Sequence, residues 1–310
     1  MKLAPIVLFT YNRPRHLRRT IKSLQNNTLA EKSELFVFSD GPKDKNAEED
    51  VVNVRNYLKT VKGFNKVVIV PRKFNCGLAK NITNGVNRIV NQYGRVIVVE
   101  DDLICAKGFL KYMNDSLELY KNNFRVMHIS GYVVPVKVIL PSIFFYRQAS
   151  CWGWATWKRA WKYYTSDTKY LLKYILQKNL SSEFNLNNSY DFLGQLKANL
   201  KGDLNTWAIK WYASVFINGG LCLHPGKSLV QNIGTDSSGT HFGLTKDYEH
   251  MHLANYVKVE DIPVIESLYA VQSIANFFKE ISLYIICGVV QWPVGLPIIY
   301  FLRFSSFYQL

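Results

Sequence analysis

The chain has 310 residues, and its 38 lysines and arginines outnumber its 23 acidic residues, so the formal net charge is +15. Hydrophobic residues make up 48% of it and charged residues 20%, which supports a buried core and excludes disordered, collagen-like and coiled-coil proteins. The positive charge suits two kinds of anionic partner, nucleic acid and a membrane surface.

The first 130 residues alternate short apolar runs with longer amphipathic stretches. The runs predicted as strands are 4–10, 34–40, 66–71 and 95–100. The stretches predicted as helices are 15–25, 46–61, 78–93 and 107–121. Strands that are apolar throughout and are separated by helices indicate a parallel sheet covered on both faces. We therefore predict an α/β fold with a Rossmann-like beginning and a mostly parallel central sheet.

The pattern is less regular beyond residue 130. The further predicted elements are strands in 126–140 and 144–150 and helices in 167–178 and 188–201. We predict one domain over 1–255, made of the halves 1–130 and 131–255. A C-terminal helical or membrane-associating segment is expected over 256–310.

The cysteines and the two ends of the chain bear on its location. Five scattered cysteines without CxxC spacing indicate neither a disulfide framework nor a zinc site, and they favour the cytoplasm. The apolar run 4–9 is too short for a signal-peptide core. No charged residue lies between Ile281 and Leu302, a stretch close to the roughly 20 residues that cross a bilayer. Because Pro293 and Pro297 disfavour a straight span, we predict a kinked or in-plane anchor on the cytoplasmic membrane face. A helix packed on the catalytic domain is the alternative.

Each of the first four strands ends in a polar loop, and these loops are expected to meet at one edge of the sheet, where open α/β sheets bind ligands. The loops are TYNRP (10–14), SDGPK (39–43), RKFNCG (72–77) and EDDL (100–103). Three adjacent acids after a buried run need compensation by a cation or by hydrogen-bond donors. Asp102 is therefore a candidate ligand of Mn²⁺ or Mg²⁺, while a helix cap at Asp101 or Asp102 is the alternative.

The other three loops contain candidate donor-binding residues. Tyr11 could stack on a base and Arg13 could bind a phosphate, although this loop also reads as an ordinary helix start. Asp40 could accept a hydrogen bond from a nucleobase or belong to a plain turn. Gly77 permits close backbone approach, and Lys80 either reaches a diphosphate or is a solvated helix charge.

The second half offers candidates for an acceptor side. Trp154, Trp157 and Trp161 have the spacing of one helical face, which favours packing. Gly153 indicates a bend beside a ligand, and an exposed indole of Trp152 or Trp154 would suit a sugar ring. The basic residues of 151–178 are expected on the same side. The loop 232–241 could contribute His241 as a second metal ligand.

Taken together, these motifs resemble the GT-A nucleotide-diphospho-sugar transferases, and most of all the bacterial family 2 glycosyltransferases of surface polysaccharide synthesis. The resemblance covers roughly residues 1–245. The segments that carry it are PIVLFTYNRPRHLRRTIKSL, FVFSDGPK, NCGLAKNI, VIVVEDDL, CWGWATWKRAW and TWAIKWYASVFINGGLCLHPGKSLVQNIGTDSSGTH. The EDD triplet is also similar to that of the N-acetylglucosaminyltransferase I group.

The resemblance implies an inverting transfer from a nucleotide-diphosphate sugar, with UDP favoured, to a saccharide or lipid-linked glycan acceptor. It implies that Asp102 binds the metal and that Glu100 and Asp101 lie near the ribose and the sugar. It also implies that 1–255 is a catalytic domain, with a nucleotide-binding half (1–130) and an acceptor half (131–255). The positions matching the nucleoside site are Thr10, Tyr11, Arg13 and Asp40.

The general base is the point at which the resemblance fails. Related sequences often have an acid directly after the Trp that corresponds to Trp207, but here Ala208 stands there. We predict Asp203 as the substitute, with Asp191 and Asp236 as alternatives.

Two other function classes remain open from the sequence. A sugar-nucleotide-using nucleotidyltransferase would share the sheet and the metal, but usually has a Gly-rich loop after the first strand, which TYNRP lacks. A nucleic-acid-binding protein is suggested by the charge and by RPRHLRR. Because that patch lacks interleaved aromatic residues, we expect no nucleic-acid partner.

Overall fold

A computed structural model describes residues 2–234 and 252–286 of the chain. The strands are β1 (Ile6–Thr10), β2 (Glu34–Ser39), β3 (Lys66–Pro71), β4 (Arg95–Glu100), β5 (Leu103–Cys105), β6 (Val126–Ser130), β7 (Ile143–Tyr146), β8 (Trp154–Trp157), β9 (Leu221–Pro225) and β10 (Val230–Asn232). The helices are α1 (Pro14–Gln25), α2 (Glu48–Leu58), α3 (Leu78–Tyr93), α4 (Phe109–Leu119), α5 (Lys158–Trp161), α6 (Thr168–Gln177), α7 (Ser181–Phe184), α8 (Phe192–Lys201), α9 (Ala208–Ile217) and α10 (Leu268–Ile286).

The central sheet has the strand order β3-β2-β1-β4-β8-β6-β9-β7. Strands β3, β2, β1 and β4 are parallel to one another, while β8 is antiparallel to both β4 and β6. Strand β9 is parallel to β6, and β7 is antiparallel to β9. The predicted α/β fold with a mostly parallel sheet is confirmed. The carboxyl ends of the first four strands meet at one edge, where α1 and α3 begin.

The structure limits two features that the sequence suggests for the second half. The run 126–140 is not one strand, because β6 ends at Ser130 and the amide of Gly131 donates to Gly153 O at 2.7 Å instead of continuing a ladder. Pro135 then interrupts any further strand, since it has no amide hydrogen to donate. The tryptophan spacing does not mark a helix either: Trp154 lies in β8, and the helix begins only at Lys158.

The tryptophans nevertheless pack, as the sequence predicted. The Trp154 ring lies 5.4 Å from the His128 ring, 5.3 Å from Trp207 and 6.2 Å from Trp211. This cluster joins the strands β6 and β8 to α9. Since Trp154 is fully buried within it, its indole belongs to the core and is not exposed to a ligand.

A small antiparallel pair, β5 with β10, lies directly after the acidic triplet, with Leu103 opposite Asn232. The amide of Ile233 donates to Asp102 O at 2.8 Å. The chain from β10 is thereby held against the acidic triplet.

Residues 252–278 pack on the same body. The amide of Ser267 donates to Phe145 O at 2.8 Å, and Arg147 forms a bidentate ion pair with Glu266. The Phe278 ring of α10 lies 4.9 Å from Tyr190. Within the described ranges, none of the helices combines the length and apolarity needed to cross a bilayer. The predicted apolar tail lies outside the described residues from position 287 onward.

Candidate active site

The four polar loops interlock at the carboxyl edge of the sheet. The amide of Tyr11 donates to Asp101 Oδ2 at 3.2 Å, and the Tyr11 hydroxyl accepts from the amide of Lys43 at 3.0 Å. The Asn75 side chain donates to Gly41 O at 2.8 Å. Hydrogen bonds therefore join the first loop to the fourth and to the second, and the second loop to the third. They confirm that the four loops meet at one edge.

An arginine and two carboxylates form the charged centre of this edge. Asp101 accepts from Thr10 Oγ1 at 2.8 Å and from Arg13, and Arg13 Nη2 also lies 3.0 Å from Asp102 Oδ2. Burial opposes the charge of Arg13, but the two carboxylates outweigh burial and raise its pKa. Burial also raises the pKa of Asp102, against the opposing charge of Arg13. Arg13 thus compensates the acids in the free protein.

The structure bears on the two roles predicted for Asp102, a metal ligand and a helix cap. Neither Asp101 nor Asp102 caps a helix, because α4 begins only after Gly108. Asp102 offers one carboxylate, and no group of three His, Cys, Asp or Glu residues suited to a metal occurs in the described ranges. A hard cation that takes its remaining ligands from a diphosphate and water fits such a donor set.

Glu100, the last residue of β4, faces a different environment. Burial, followed by the charges of Asp102 and Asp101, raises the pKa of Glu100 to about 8. Its side chain lines a cavity of about 230 Å³ beside the acidic pair. The alternation of side chains along a strand explains why Glu100 points into this cavity while Asp101 points to the Arg13 loop.

Asp40 holds the third loop in place. Its Oδ1 accepts from the amides of Gly41 and Cys76, both at 3.0 Å, and its Oδ2 accepts from the amide of Gly77 at 3.1 Å. Gly77 has φ +76°, which favours glycine, and it directly precedes α3. Lys80 is exposed in the first turn of α3. Without a ligand, Asp40 therefore acts as a turn residue, which was the alternative to binding a nucleobase.

Sequence reasoning missed Arg55 of α2. Its Nη2 donates to Asp40 O at 3.1 Å and to Arg72 O at 2.7 Å, and its Nε donates to Ser39 Oγ at 3.3 Å. Arg55 therefore ties the ends of β2 and β3 together. The sequence did hold one sign of this role. Arg55 lies four residues after the buried Val51, so its charge stands on the same face of α2 as the apolar residues.

The cavity beside Glu100, here called the aromatic cavity, is named for the eight aromatic residues among its described lining residues. Its lining includes Tyr132, Tyr146, Trp152, Tyr190, Phe192, Trp207, Tyr212 and Phe278. Trp152 packs edge-on against Tyr132 at 4.5 Å, and its role on the acceptor side stays a prediction. Gly153 has φ +59° and makes the bend that turns the chain from Trp152 into β8. Trp154 is absent from the lining, which corrects its assignment to an acceptor side.

The basic segment after β8 does not lie at this edge. Strand β8 is antiparallel to β4, with Trp157 opposite Arg95 and Trp154 opposite Val98. Residues 158–162 therefore follow β8 at the edge where β4 begins, opposite the end that carries Glu100. The prediction that Lys158, Arg159 and Lys162 form the acceptor side is wrong. For Lys169 and Lys173 of α6 it stays a prediction.

The predicted bases are not brought into the aromatic cavity. Asp203 is exposed after α8 and is not among the lining residues, although Asn205 and Thr206 of the same loop are. Asp191 accepts from the amide of Gly194 at 2.8 Å and caps α8. Asp236 and His241 lie outside the described residues. Ala208 does line the cavity, at the position where related sequences often have an acid.

Comparison with known proteins identifies the family. The model of glycosyl transferase family 2 matches residues 6–176, more than half of the chain. The chain belongs to glycosyl transferase family 2. This confirms the resemblance to the GT-A nucleotide-sugar transferases, and the match to this glycosyltransferase family includes all four polar loops.

Solved structures similar to this glycosyltransferase share little sequence with it. S. aureus TarS is 20% identical with a TM-score of 0.31 over 46% of this chain and 24% of TarS. TarS 1–349 is 14% identical with a TM-score of 0.39 over 74% of this chain and 60% of that one. The mannosyltransferase PcManGT from Pyrobaculum calidifontis, solved with GDP-Man and Mn²⁺, is 10% identical with a TM-score of 0.38, over 70% and 71%. The chain thus spans about a quarter of TarS. No curated protein matches it.

Proposed function

We propose that this glycosyltransferase moves a sugar, with inversion, from a nucleotide-diphosphate sugar to a saccharide or lipid-linked acceptor. The single observation that carries the proposal is the position of the acidic pair. Asp101 and Asp102 lie where four interlocked loops meet, and the adjoining Glu100 lines the aromatic cavity. The charged part of a ligand can therefore lie beside the acidic pair while its neutral part lies in the adjoining aromatic cavity, at the same edge of the sheet.

The donor is proposed to lie over the loops, with UDP as the favoured nucleotide. Arg13 is a planar guanidinium already held at this edge, and such a group binds phosphate oxygens in pairs. Tyr11 and Asp40 flank the position proposed for the base. Asp102 would hold Mn²⁺ or Mg²⁺, which supplies charge neutralisation of a departing diphosphate.

The acceptor is proposed to enter the aromatic cavity. Its lining within the described residues contains no lysine, arginine or histidine, and its only carboxylate is Glu100. Aromatic faces such as Trp152 bind the apolar face of a sugar ring and exclude water from the reacting carbon, whose transition state is oxocarbenium-like. Asp203 has no part in this proposal, because its side chain lies outside the cavity.

The protein is further proposed to work at the cytoplasmic face of a membrane. The support is the charge-free sequence Ile281 to Leu302 together with the net charge of +15. Contact of this kind would be peripheral or monotopic.

Hydrolysis of nucleotide sugars tests the function. UDP-glucose, UDP-N-acetylglucosamine and GDP-mannose would be incubated with the protein and Mn²⁺, and nucleotide diphosphate release measured. Asp102→Asn keeps the side-chain shape but removes a full charge, so we expect activity to fall by about 100-fold or more with little change in Tm. Asp115→Asn, in an exposed pair with Lys111, is the matched control and should keep full activity. Normal activity of Asp102→Asn, or of the parent protein in excess EDTA, would refute the metal role.

A further inference from the structure

A second concave surface lies next to the aromatic cavity, and nothing described above uses it. This groove of about 720 Å³, here called the aliphatic groove, is lined by parts of three segments, 133–142, 226–228 and 252–258. The amide of Gly226 donates to Ser142 O and that of Ala254 donates to Ser228 O, at 2.8 and 2.9 Å. These bonds fasten the three segments together, so the groove is built by defined backbone contacts.

Val134 lines both the aliphatic groove and the aromatic cavity. The two surfaces therefore meet at Val134. A ligand longer than one sugar that entered the aromatic cavity would have the groove within its reach.

The groove presents aliphatic side chains to solvent. Its apolar lining comprises Val133, Val134, Pro135, Val136, Val138, Ile139, Leu140, Ala254, Tyr256 and Val257. Ile139 is 93% exposed, Tyr256 54% and Val138 47%. Scattered exposed apolar side chains are ordinary, but a contiguous apolar patch around a groove marks a binding surface.

The charged side chains that line the groove in the described ranges are all basic. Lys227, Lys258 and His252 line it, and no acidic residue does within the described ranges. Lys258 pairs with Glu260 at 2.6 Å on the outer side, whereas Lys227 is exposed between the two apolar walls. Aliphatic walls with a basic rim are complementary to an amphiphile that has a hydrocarbon chain and an anionic head group.

We propose that the aliphatic groove binds the hydrocarbon chain of a lipid-phosphate acceptor, with the phosphate beside Lys227 and the sugar in the aromatic cavity. This inference rests on the proposed function, since it names the acceptor class. Of the two acceptor types, it selects the lipid-linked one. The aromatic cavity, without a basic side chain, receives the neutral end of that molecule.

Binding of a soluble amphiphile tests the groove directly. Dodecyl phosphate below its critical micelle concentration would be titrated into the full-length protein by calorimetry, beside dodecanol and inorganic phosphate. We expect dodecyl phosphate to bind at least 10-fold more tightly than dodecanol, and inorganic phosphate not to bind. Ile139→Asp should weaken dodecyl phosphate binding at least 10-fold, and Lys227→Gln should remove most of the preference over dodecanol.

Matched variants separate the groove from general surface effects. Ile265→Asp changes an isoleucine that is 63% exposed outside the groove, and Lys178→Gln changes an exposed lysine outside it. Both should bind like the parent protein. Equal binding by Ile139→Asp and Ile265→Asp would overturn the proposal. Binding to anionic vesicles without binding to the monomeric amphiphile would also overturn it, in favour of a bilayer surface. Binding to neither probe would overturn it in favour of a groove filled by another part of the chain.

Donor hydrolysis measured on the same variants keeps the two proposals apart. Ile139→Asp should hydrolyse nucleotide sugar at the parent rate, because Ile139 lines the groove and does not line the aromatic cavity. A protein that binds dodecyl phosphate but no nucleotide sugar would refute the proposed function alone. The reverse result would refute the groove alone.

Discussion

Asp101 holds the free site together at the scale of a single residue. Its carboxylate accepts from a hydroxyl, an amide and a guanidinium, and its side chain is 4% exposed beside Arg13 at 20%. Removing one partner of a mostly buried pair costs far more than removing one partner of an exposed pair, because a buried charge is left uncompensated.

We predict that Asp101→Asn lowers the free energy of unfolding by about 3 kcal/mol. The same substitution at Asp115, whose side chain is 29% exposed and pairs with Lys111 at 43%, should cost less than about 1 kcal/mol. Urea denaturation of both variants measures the difference. Equal losses would show that the Arg13 pair contributes no more than a surface pair.

His128 is a buried group whose protonation opposes folding. Trp211 Nε1 donates to its Nδ1 at 3.1 Å, so the neutral ring donates from Nε2 to Ser150 O at 2.9 Å. Burial, with a smaller contribution from His224, lowers the pKa of His128 from 6.5 to about 3. A depressed pKa means that the folded state has its full stability above pH 6.5 and loses it as the pH falls toward 3.

Acid should therefore destabilise the protein through this residue. Between pH 7.5 and pH 5 the loss attributable to His128 is about 2 kcal/mol, since each pH unit below 6.5 costs about 1.4 kcal/mol. Urea denaturation at several pH values measures it, with His128→Gln as the comparison. An unchanged pH slope in that variant would contradict the assignment.

At the scale of elements, the bend into β8 depends on close packing around Gly153. A Cβ there would lie 2.8 Å from Val230 Cγ1 and 3.1 Å from the Phe109 ring, and φ is +59°. Strand β8 can therefore follow Trp152 only if this position has no side chain. The bend places Trp152 in the cavity and Trp154 in the core.

We predict that Gly153→Ala costs about 2 to 4 kcal/mol, from the positive φ and from overpacking together. Gly202 has φ +83° but open space around it, so Gly202→Ala should cost only about 1 kcal/mol. Thermal unfolding of both variants isolates the packing contribution. A loss of stability at Gly153 no larger than at Gly202 would show that the side chains of Val230 and Phe109 move aside for the added methyl group.

At the scale of the whole molecule, the beginning of α10 belongs to the catalytic body. Ala270 and Ile274 are fully buried, and Phe278 lines the aromatic cavity. After them, Glu280 pairs with Lys137 at 3.0 Å in an exposed contact, which places this part of α10 beside the aliphatic groove. The charge-free sequence starts at Ile281, shortly after Phe278.

A chain that ends after Lys279 should keep these buried contacts. We expect it to bind nucleotide sugar like the full-length protein and to lose sedimentation with anionic vesicles, because the proposed anchor is gone. Vesicle co-sedimentation and donor titration measure the two effects. Aggregation of the shortened chain would instead support a tail packed on the catalytic domain.

Local patterns in the sequence determined most of the first half of the fold. Continuous apolar runs such as 96–99 are typical of strands covered on both faces, and helix α3 occupies the predicted span 78–93. Parallel strands bring their carboxyl ends to one edge, so the meeting of the four loops also followed from the sequence. The acidic triplet stood out because three adjacent acids after a buried strand need compensation.

Only the tertiary structure decided how these charges are shared and which side chains face the cavity. Arg13 compensates Asp101 and Asp102 across almost ninety positions of sequence, a distance that no local pattern spans. The tryptophan spacing fitted a helix, yet pairing with β4 and β6 made Trp154 a strand residue, because partners elsewhere in the chain complete a sheet. The same pairing carried residues 158–162 to the far edge. Whether a strand runs parallel or antiparallel to its neighbours depends on those neighbours, so it cannot be deduced from the sequence of that strand alone.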